Sequence, residues 1–382
     1  MIRKLSLFMR LTFSRSRSGD GSLRGGTNMT LFLNNEEISR LITMRECVEV
    51  LEDGYREHGM GRVVHRRRSN IIVPTGEGKT YVFANFEGTV IKTGYHAIGL
   101  RSDVNEWLDT KGDRSKKWAS RPGLYCGLVL LYNIRTGELE GILNDGYLQV
   151  MRVGATSGVA GKYLSREDSN VLGIIGAGNQ ARSHAEAMVA LRPIKRVKVY
   201  SLRPERRETF CRENEAGLGV EMRPVDSPEK AFEGSDIVCC CTDSPRPFVR
   251  AEWIEPGMFL TSVRPFGEVG KEVLPIFDIA VVHERGFSPQ FRPPKAAEEH
   301  ARAPLAVGGK DEKVLPSKIT LAELCAGKAS GRTNPSQKTY FANNEGHGVQ
   351  FSAAGALVLG RARERRVGRE IPTEWFLQDI ST

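Results

Sequence analysis

The hydrophobic pattern changes character near the middle of the chain. After about residue 170, short apolar runs alternate with amphipathic stretches of helical period. Near-continuous apolar strands separated by helices are typical of a parallel sheet that helices cover on both faces. The apolar runs are NVLGIIG, RVKVYS, VEMRPV, DIVCCC, MFLTSV and FDIAVVH, and the helical stretches include ARSHAEAMVAL, PERRETFCRENEAG and SPEKAFEG. This pattern predicts a doubly wound, Rossmann-type α/β domain.

The chain before this domain predicts a different unit of class α+β. An amphipathic segment, NEEISRLITMRECVEVLEDGYREHG, precedes strand-like pieces such as SNIIVP, KTYVFANF and GLVLLYNIRTGELEGIL, and the last piece carries the hairpin signal NIRTGE. Near the C terminus, FSAAGALVLGRARERR predicts an amphipathic helix that packs back on this unit. The predicted division is a leader at 1–28, a substrate and dimerisation domain at 29–150 with 330–382, and the Rossmann dinucleotide-binding domain at 151–329.

Composition and charge narrow the function classes. The chain has 382 residues and a formal net charge of +9. Residues 1–28 contain six Lys/Arg and one acidic residue, so much of the excess positive charge lies in this tail. This distribution predicts no nucleic-acid partner. No run of about 18 apolar residues predicts a membrane span. The seven cysteines form no CxxC spacing, so we predict no metal site and a reducing, cytoplasmic location. The Arg- and Ser-rich leader favours an organelle if it is a transit peptide; a disordered extension or a start at Met29 are the alternatives.

A glycine-rich turn follows the first apolar run of the parallel pattern, in VLGIIGAGNQA. Gly176 permits a tight turn, and Gly178 lets the backbone approach a pyrophosphate. Asn179 is a candidate cap for the next helix, whose positive end faces phosphate, and the small Ala181 lets that helix approach the strand. With Gln180 these residues form the predicted dinucleotide site; the alternative is a glycine turn of purely structural use.

The end of the second strand, KVYSLRPERR, bears on which dinucleotide binds. An NAD site usually ends this strand with Asp or Glu, which accepts a hydrogen bond from the ribose 2′-hydroxyl. Here Ser201 takes that position, and Arg203 follows with Arg206 and Arg207. A hydroxyl and a guanidinium suit a 2′-phosphate, so the sequence favours NADP(H) over NAD(H). The alternative is that Arg206 and Arg207 only solvate a helix face.

Three segments together resemble the ornithine cyclodeaminase/mu-crystallin family: GYLQVMRVGATSGVAGKYLSR, the glycine turn, and DIVCCCTDSPRPFVRAEWIEPGMFLTSV. The resemblance extends from about Met29 to Thr382. It implies a homodimer with a nicotinamide between the domains, next to Thr242 and Val263. It also implies hydride exchange at the C–N bond of a small amino acid, keto acid or cyclic imine. The alternatives are ornithine cyclodeamination to proline and ammonia, and an NADPH-dependent ligand-binding crystallin without turnover.

The resemblance assigns two arginines to the substrate carboxylate. Arg152 of MRVGATS matches one family arginine, and Arg68 is our choice for the second within VHRRRS. A planar, bidentate cation suits a carboxylate. The alternatives are a structural salt bridge for Arg152 and a solvated basic run for Arg68.

The proton-handling residues depart from the family pattern. Arg101 stands where the family has its catalytic lysine, and an arginine can orient a substrate but cannot act as a general base. Glu268 replaces a family aspartate; beside an apolar pocket its pKa would rise and it would exchange the amine proton, unless it is an ordinary surface carboxylate. Gln350 stands where the cyclodeaminase has an acid. These departures weigh against ornithine cyclisation.

Overall fold

The computed structural model describes residues 28–76, 78–107, 115–244, 246–283, 285, 319–343 and 348–380. Apart from Asn28, the predicted leader lies outside these residues. Two sheets and nine α-helices organise this part of the chain. The helices are α1 (Asn35–Ser39), α2 (Met44–Gly59), α3 (Asp145–Leu164), α4 (Asn179–Leu191), α5 (Pro204–Leu218), α6 (Pro228–Phe232), α7 (Pro265–Glu268), α8 (Leu321–Cys325) and α9 (Gly348–Arg365).

The first sheet has ten strands and is antiparallel except where β1 runs beside β9. Its central order is β18-β1-β9-β8-β5-β4-β2, with β3 on β4 and the β6–β7 hairpin on β5. The predicted NIRTGE turn joins β8 to β9. The strands are β1 (Met29–Leu33), β2 (Val63–His65), β3 (Ser69–Gly76), β4 (Lys79–Val90), β5 (Tyr95–Trp107), β6 (Ser115–Ala119), β7 (Arg121–Pro122), β8 (Cys126–Asn133), β9 (Leu139–Asn144) and β18 (Arg369–Pro372).

The second sheet has eight strands, all parallel, in the order β12-β11-β10-β13-β14-β17-β15-β16. All six apolar runs predicted as strands are strands of this sheet, which confirms the Rossmann-type α/β class. The strands are β10 (Val171–Ile175), β11 (Arg196–Tyr200), β12 (Glu221–Pro224), β13 (Ile237–Cys240), β14 (Phe259–Ser262), β15 (Ile279–Val282), β16 (Ile319–Thr320) and β17 (Thr339–Ala342).

The predicted division at residue 330 is wrong for one strand. β17 pairs with β14 on one side and with β15 on the other, so its hydrogen bonds lie entirely in the parallel sheet. The return of the chain to the first sheet therefore comes after Ala342, and α9 then packs on β4, β5 and α2 as the C-terminal pattern predicts. The other limits of the domain division stay a proposal.

Helix α3 connects the two sheets and packs against α2 and α4. Its glycines make this packing close. A Cβ atom at Gly154 would lie 2.5 Å from the carbonyl oxygen of Ser183 in α4, and one at Gly158 would lie 3.0 Å from Val48 in α2. Any larger side chain would force these helices apart. The small residues of MRVGATSGVAG therefore serve the contact that fixes the domains against each other.

Candidate active site

The glycine turn lies where the parallel sheet reverses its strand order, between β10 and its neighbours β11 and β13. Gly176 has φ +120, and a Cβ atom there would lie 2.5 Å from the carbonyl oxygen of Cys241. Gly178 is the N-cap of α4, and a Cβ atom there would meet nothing within 4 Å. The first glycine is therefore required by the fold, whereas the second leaves open space before a helix N-terminus, where phosphate binds favourably.

Asn179 does not cap α4, so that prediction is wrong. The helix begins at Asn179, its N-cap is Gly178, and no side chain caps it. The N-terminal N–H groups of α4 are thus available to an anion. Ala181 is fully buried, as expected for close helix–strand packing. The Oε1 atom of Gln180 is shielded from solvent without a hydrogen-bond partner in the described residues. These residues fit a dinucleotide.

The cleft beside this turn holds charged groups of both signs. It has a volume of about 290 Å³ and is lined by Ala177, Glu205, Arg206, Thr209, Phe210 and Glu213. Ser201 is half-buried, and its carbonyl accepts a hydrogen bond from Arg207 at 3.1 Å. Arg203 is exposed and is the N-cap of α5. Arg206 therefore lines the same cleft as Ala177 of the glycine turn.

Glu268 is completely buried, so it is not a surface carboxylate. Its Oε1 accepts hydrogen bonds from the Thr242 N–H at 2.6 Å and the Thr242 hydroxyl at 2.8 Å, while its Oε2 accepts one from the Arg264 N–H at 3.0 Å. Burial raises the pKa of Glu268 to about 7, although these donors oppose the shift. The expected rise in pKa is thus present. Because donors occupy both oxygens, Glu268 joins the loop after β13 to the loop after β14.

These two loops border the glycine turn. The Val263 N–H donates to the Cys240 carbonyl at 3.1 Å, and Cys241 is the residue that a side chain at Gly176 would strike. The carboxyl ends of β10, β13 and β14 thus meet in one crevice, where open α/β sheets bind ligands. Glu268, Thr242 and Val263 come together there, as the resemblance implies.

The two arginines predicted to bind carboxylate lie on the same aromatic ring. The Arg68 guanidinium carbon lies 5.0 Å from the centroid of Phe86, and that of Arg152 lies 5.7 Å from it. Arg152 is buried, and its hydrogen bonds go to the side-chain oxygens of Gln149 and Gln350. Both partners are neutral amides, so these bonds do not neutralise its charge. Among the described residues Arg152 therefore has hydrogen bonds to amides rather than to a carboxylate, and Asp145 is close enough to raise its pKa against the effect of burial.

Arg101 points to the same face of the first sheet. Its Nε donates to Asp103 Oδ2 at 2.8 Å, and its guanidinium lies 4.7 Å from the centre of the Tyr125 ring. β5 places Arg101 opposite Ala84 on β4 and Gly127 on β8. The guanidinium is thus held by a carboxylate and a ring, as suits an orienting residue.

Two ionisable residues of this face are absent from the sequence-based prediction. Asp145, the first residue of α3, is 2% exposed; burial raises its pKa to about 7, although Arg152 and Arg101 act to lower it. Its Oδ1 has no hydrogen-bond partner among the described residues. A Cβ atom at Gly127 would lie 3.0 Å from Asp145 Oδ2, which places the carboxyl group over the strand that carries Gly127.

Lys117 on β6 is the second of these residues. Burial and the nearby positive charges of Arg101, Arg68 and Arg264 lower its pKa to about 7, against the opposing effect of Asp103. Arg264 comes from the parallel sheet and the other groups from the first sheet, so Lys117 lies where the two domains face each other. Lys117 is brought to this face by the pairing of β6 with β5, which the sequence analysis did not predict.

Within the described helices no segment is long and apolar enough to cross a membrane. The same residues contain no group of three or more His, Cys, Asp or Glu that could hold a metal ion.

The parallel sheet, its glycine turn and the facing arginines define the class: a two-domain oxidoreductase that uses a nicotinamide dinucleotide. The chain belongs to the ornithine cyclodeaminase/mu-crystallin family, whose model matches residues 28–366. The resemblance seen in the sequence is thereby confirmed.

Individual relatives match almost end to end. The chain is 26% identical to an alanine dehydrogenase of Archaeoglobus fulgidus, over 90% of this chain and 98% of that protein. It is 26% identical to a Delta(1)-pyrroline-2-carboxylate reductase of Bacillus cereus, over 89% and 99%. A solved Delta(1)-pyrroline-2-carboxylate reductase of Thermococcus litoralis, in complex with NADH and L-proline, has a TM-score of 0.74 and 27% identity, covering 90% of this chain and all of that one.

Proposed function

We propose that the protein exchanges a hydride between a nicotinamide cofactor and the C–N bond of a small amino acid, keto acid with amine, or cyclic imine. The observation that carries the proposal is the pair of guanidinium groups on Phe86. Arg68 of this pair and Arg264, which follows β14 at the crevice, both lie close enough to Lys117 to lower its pKa. The alanine dehydrogenase and pyrroline-carboxylate reductase relatives support the proposal, since both names specify substrates with a carboxylate beside a C–N bond.

In this mechanism each residue of the chain has a distinct task. Arg68 and Arg152 bind the substrate carboxylate, and Arg101, held by Asp103, orients the substrate. The bound nicotinamide supplies or accepts the hydride. Asp145 has a pKa of about 7 and an oxygen without a partner in the described chain, so it is the group best suited to give or take the amine proton.

Glu268 has a positioning task in the same mechanism. Its carboxylate accepts three hydrogen bonds from Thr242 and Arg264, so both of its oxygens are engaged, whereas Asp145 has an oxygen with no partner among the described residues. It sets the relative position of the two loops that border the nicotinamide crevice. This reassigns to Asp145 the proton exchange that the sequence suggested for Glu268.

The test uses the purified full-length protein with NADPH or NADH. Pyruvate and other 2-oxo acids are supplied with ammonia or methylamine, and cyclic imines alone, while absorbance of the reduced nicotinamide is followed. We expect oxidation of the cofactor. Absence of oxidation together with proline formation from ornithine would establish a cyclodeaminase instead, and tight ligand binding without any turnover would indicate a crystallin-like protein.

Gln350 favours the reductase over the cyclodeaminase. Its Oε1 accepts from Arg152 Nη1 at 2.8 Å, and its Nε2 donates to the Tyr55 hydroxyl at 2.9 Å and to the Thr156 hydroxyl at 2.7 Å. A neutral amide at this position cannot accept a proton from a substrate amine. At the position where the cyclodeaminase pattern has an acid, Gln350 instead accepts a hydrogen bond that holds Arg152 in place.

The preferred cofactor in this proposal is NADP(H). Ser201, Arg203 and Arg206 stand beyond the second strand, and Arg206 lines the cleft with Ala177 of the glycine turn. A 2′-phosphate there would receive charge-assisted hydrogen bonds, each contributing about 1.5 to 3 kcal/mol. Glu205 lines the same cleft and would instead suit a ribose hydroxyl, so the two dinucleotides must be compared directly.

Fluorescence titration with NADPH and NADH makes that comparison. We expect R206Q to weaken NADPH binding by roughly tenfold or more and to change NADH binding far less. R250Q removes an exposed arginine of the same domain and serves as the control. Equal affinity of the unaltered protein for NADH and NADPH would refute the preference.

A cytoplasmic location is part of the proposal. All seven cysteines are free thiols, and six of them are buried. Thiols of this kind are typical of proteins in a reducing compartment.

A further inference from the structure

A row of polar side chains crosses three strands of the first sheet beyond Arg101. Thr80 on β4 pairs with Asn105 on β5, and Asn105 pairs with Lys117 on β6. Directly opposed residues of antiparallel strands project to the same face, and residues two apart along a strand share that face. Thr80, Asn105 and Lys117 therefore lie on the face that carries Asp103 and Arg101.

Two members of this row, Thr80 and Asn105, are polar residues buried inside the sheet, where most side chains are apolar. Thr80 and Asn105 are each 1% exposed. The Thr80 hydroxyl and both polar atoms of the Asn105 amide have no hydrogen-bond partner within the described ranges. Burying such groups without partners costs free energy, and proteins rarely retain them without a ligand or a solvent partner to satisfy them. The row therefore has the character of a polar binding site.

The charges around the row are predominantly positive. Lys117 belongs to it, and Arg101, Arg68 and Arg264 are all close enough to lower the pKa of Lys117 to about 7 together with burial. Asp103 is the carboxylate that opposes them in that balance; its Oδ2 accepts a hydrogen bond from Arg101 at 2.8 Å, and its Oδ1 has no partner within the described ranges. A bound anion would relieve the repulsion among the cations, whereas a bound ammonium group would add to it.

We propose that Thr80, Asn105 and Lys117 form a second anion subsite, which binds the distal carboxylate of a short dicarboxylic amino or 2-oxo acid. The inference rests on the proposed function, because the carboxylate next to the reacting carbon is assigned to Arg68 and Arg152. The hydroxyl, amide and ammonium groups of the row supply donors for the second carboxylate. Lys117 is a cation beyond the two arginines assigned to the first carboxylate, and it lies beside the unpartnered groups of Thr80 and Asn105.

Binding of unreactive acids tests the subsite independently of turnover. Succinate, butyrate and 4-aminobutyrate share one carboxylate and differ at the far end, and their dissociation constants are measured by calorimetry on the full-length protein. We expect succinate to bind roughly 10- to 100-fold more tightly than butyrate, with 4-aminobutyrate weakest. Butyrate or 4-aminobutyrate binding as tightly as succinate would overturn the proposal, whatever reaction the protein catalyses.

Substitutions then test whether Thr80 and Lys117 of the row cause the preference for succinate over butyrate. K117M should remove most of the difference between succinate and butyrate, whereas K116M should retain it, because Lys116 is exposed and projects from the opposite face of β6. T80V keeps the side-chain shape and should weaken succinate several-fold, so it serves if K117M does not fold. If T80V and K117M both retain the full preference, the second carboxylate binds elsewhere.

Turnover provides the last comparison. In reductive amination with ammonia, K117M should lower kcat/KM for oxaloacetate or 2-oxoglutarate roughly 10-fold more than for pyruvate. An equal loss with all three substrates would show that Lys117 acts on the reacting centre instead. If none of the three 2-oxo acids is turned over, the succinate comparison still decides the subsite, and the assay with cyclic imines decides the proposed function.

Discussion

Asp145 combines the properties that a proton-exchanging group needs at neutral pH. Its carboxyl group is buried beside two guanidinium groups, and its pKa of about 7 means that both protonation states are populated at pH 7. Desolvation is the largest cause of that value, and the positive charges of Arg152 and Arg101 keep it from rising further. The balance depends on three elements of structure, since α3 supplies Asp145 and Arg152 while β5 and β8 supply Arg101 and Gly127.

Replacing this carboxyl group tests its role in turnover. D145N should lower kcat by roughly 100-fold or more, because general acid–base catalysis contributes about 10²- to 10⁴-fold. The change in rate that the unaltered protein shows near pH 7 should vanish in D145N. Steady-state rates between pH 5.5 and 8.5 measure both effects. D168N, which alters an exposed aspartate, is the control, and an unchanged pH profile in D145N would assign the proton to another group.

The same substitution should stabilise the protein at neutral and alkaline pH. The folded-state pKa of Asp145 is about 7 and its ordinary value is 3.8, so the folded protein holds the proton more tightly than the unfolded chain between these values. The resulting stabilisation is fully present below about pH 4 and is lost as the pH rises through 7. Relative to the unaltered protein, D145N should gain stability on the order of 4 kcal/mol across this window.

Urea unfolding at pH 5 and pH 8 checks this result. The difference in unfolding free energy between D145N and the unaltered protein should be larger at pH 8. His58 and His184, whose pKa values burial lowers to about 4, add an opposite trend to both proteins, so it cancels in the difference. A difference that is independent of pH would mean that the folded protein does not raise the pKa of Asp145.

The sequence alone could suggest which arginines bind the substrate, but not which ionisable residues lie beside them. Arg152 and Arg68 were predicted because they match family positions, whereas the positions of Asp145 and Lys117 depend on which strands pair. Lys117 follows Asn105 by twelve positions, and only the β5–β6 register sets the two side by side. The hydrophobic period and the composition of the two segments do not specify that register. The same limit applies to Glu268, whose hydrogen-bond donors, Thr242 and Arg264, come from two loops.

Among the elements, the glycine turn and α4 assign different roles to their two glycines: one is required by the fold, and the other leaves space for a ligand. Gly176 is constrained by its positive φ and by Cys241, while Gly178 stands before open space at the start of the helix. A helix N-terminus without a side-chain cap offers its N–H groups to an anion. The motif fixed these positions in advance, but not the N-cap, since Asn179 and Gly178 are both acceptable there.

Alanine at each glycine separates folding from cofactor binding. G176A should destabilise the fold by roughly 1 to 3 kcal/mol, because a side chain there is strained and strikes a carbonyl group. G178A should change stability by less than about 0.5 kcal/mol and yet weaken nicotinamide dinucleotide binding, since its methyl group enters the space before the helix. Thermal unfolding and fluorescence titration measure the two effects. Unchanged affinity in G178A would show that the pyrophosphate binds elsewhere.

Element prediction was accurate for the six apolar runs of the parallel pattern, but it did not place β17 in their sheet. The runs from VLGII to IAVV are strands because they are apolar, β-branched and separated by helices. β17 joins the sheet between β14 and β15, out of chain order. No local signal specifies that crossover, because topology depends on how distant segments pack.

At the scale of the whole molecule, the ten-stranded sheet has two apolar faces. One face packs on α9 and α2 and carries Phe86, over whose ring the guanidinium groups of Arg68 and Arg152 lie. The opposite face carries Ile98, Leu130 and Ile142 in one cross-strand row and Leu100 with Leu128 in the next, all half-buried in the isolated chain. A sheet that faces water on one side usually alternates apolar and polar residues. This second apolar face is the surface we assign to the homodimer that the resemblance implies.

A charge in the centre of that surface should separate the subunits. L130K places a lysine in the middle of the Ile98–Leu130–Ile142 row, and each copy of a two-fold interface would receive it, so the desolvation cost counts twice. Light scattering coupled to size exclusion should give a dimer for the unaltered protein and a monomer for L130K, with circular dichroism showing that the fold is retained. L202K changes a leucine that is 87% exposed in the other domain and should leave the dimer intact. If L130K stays dimeric at micromolar concentration, another surface joins the subunits.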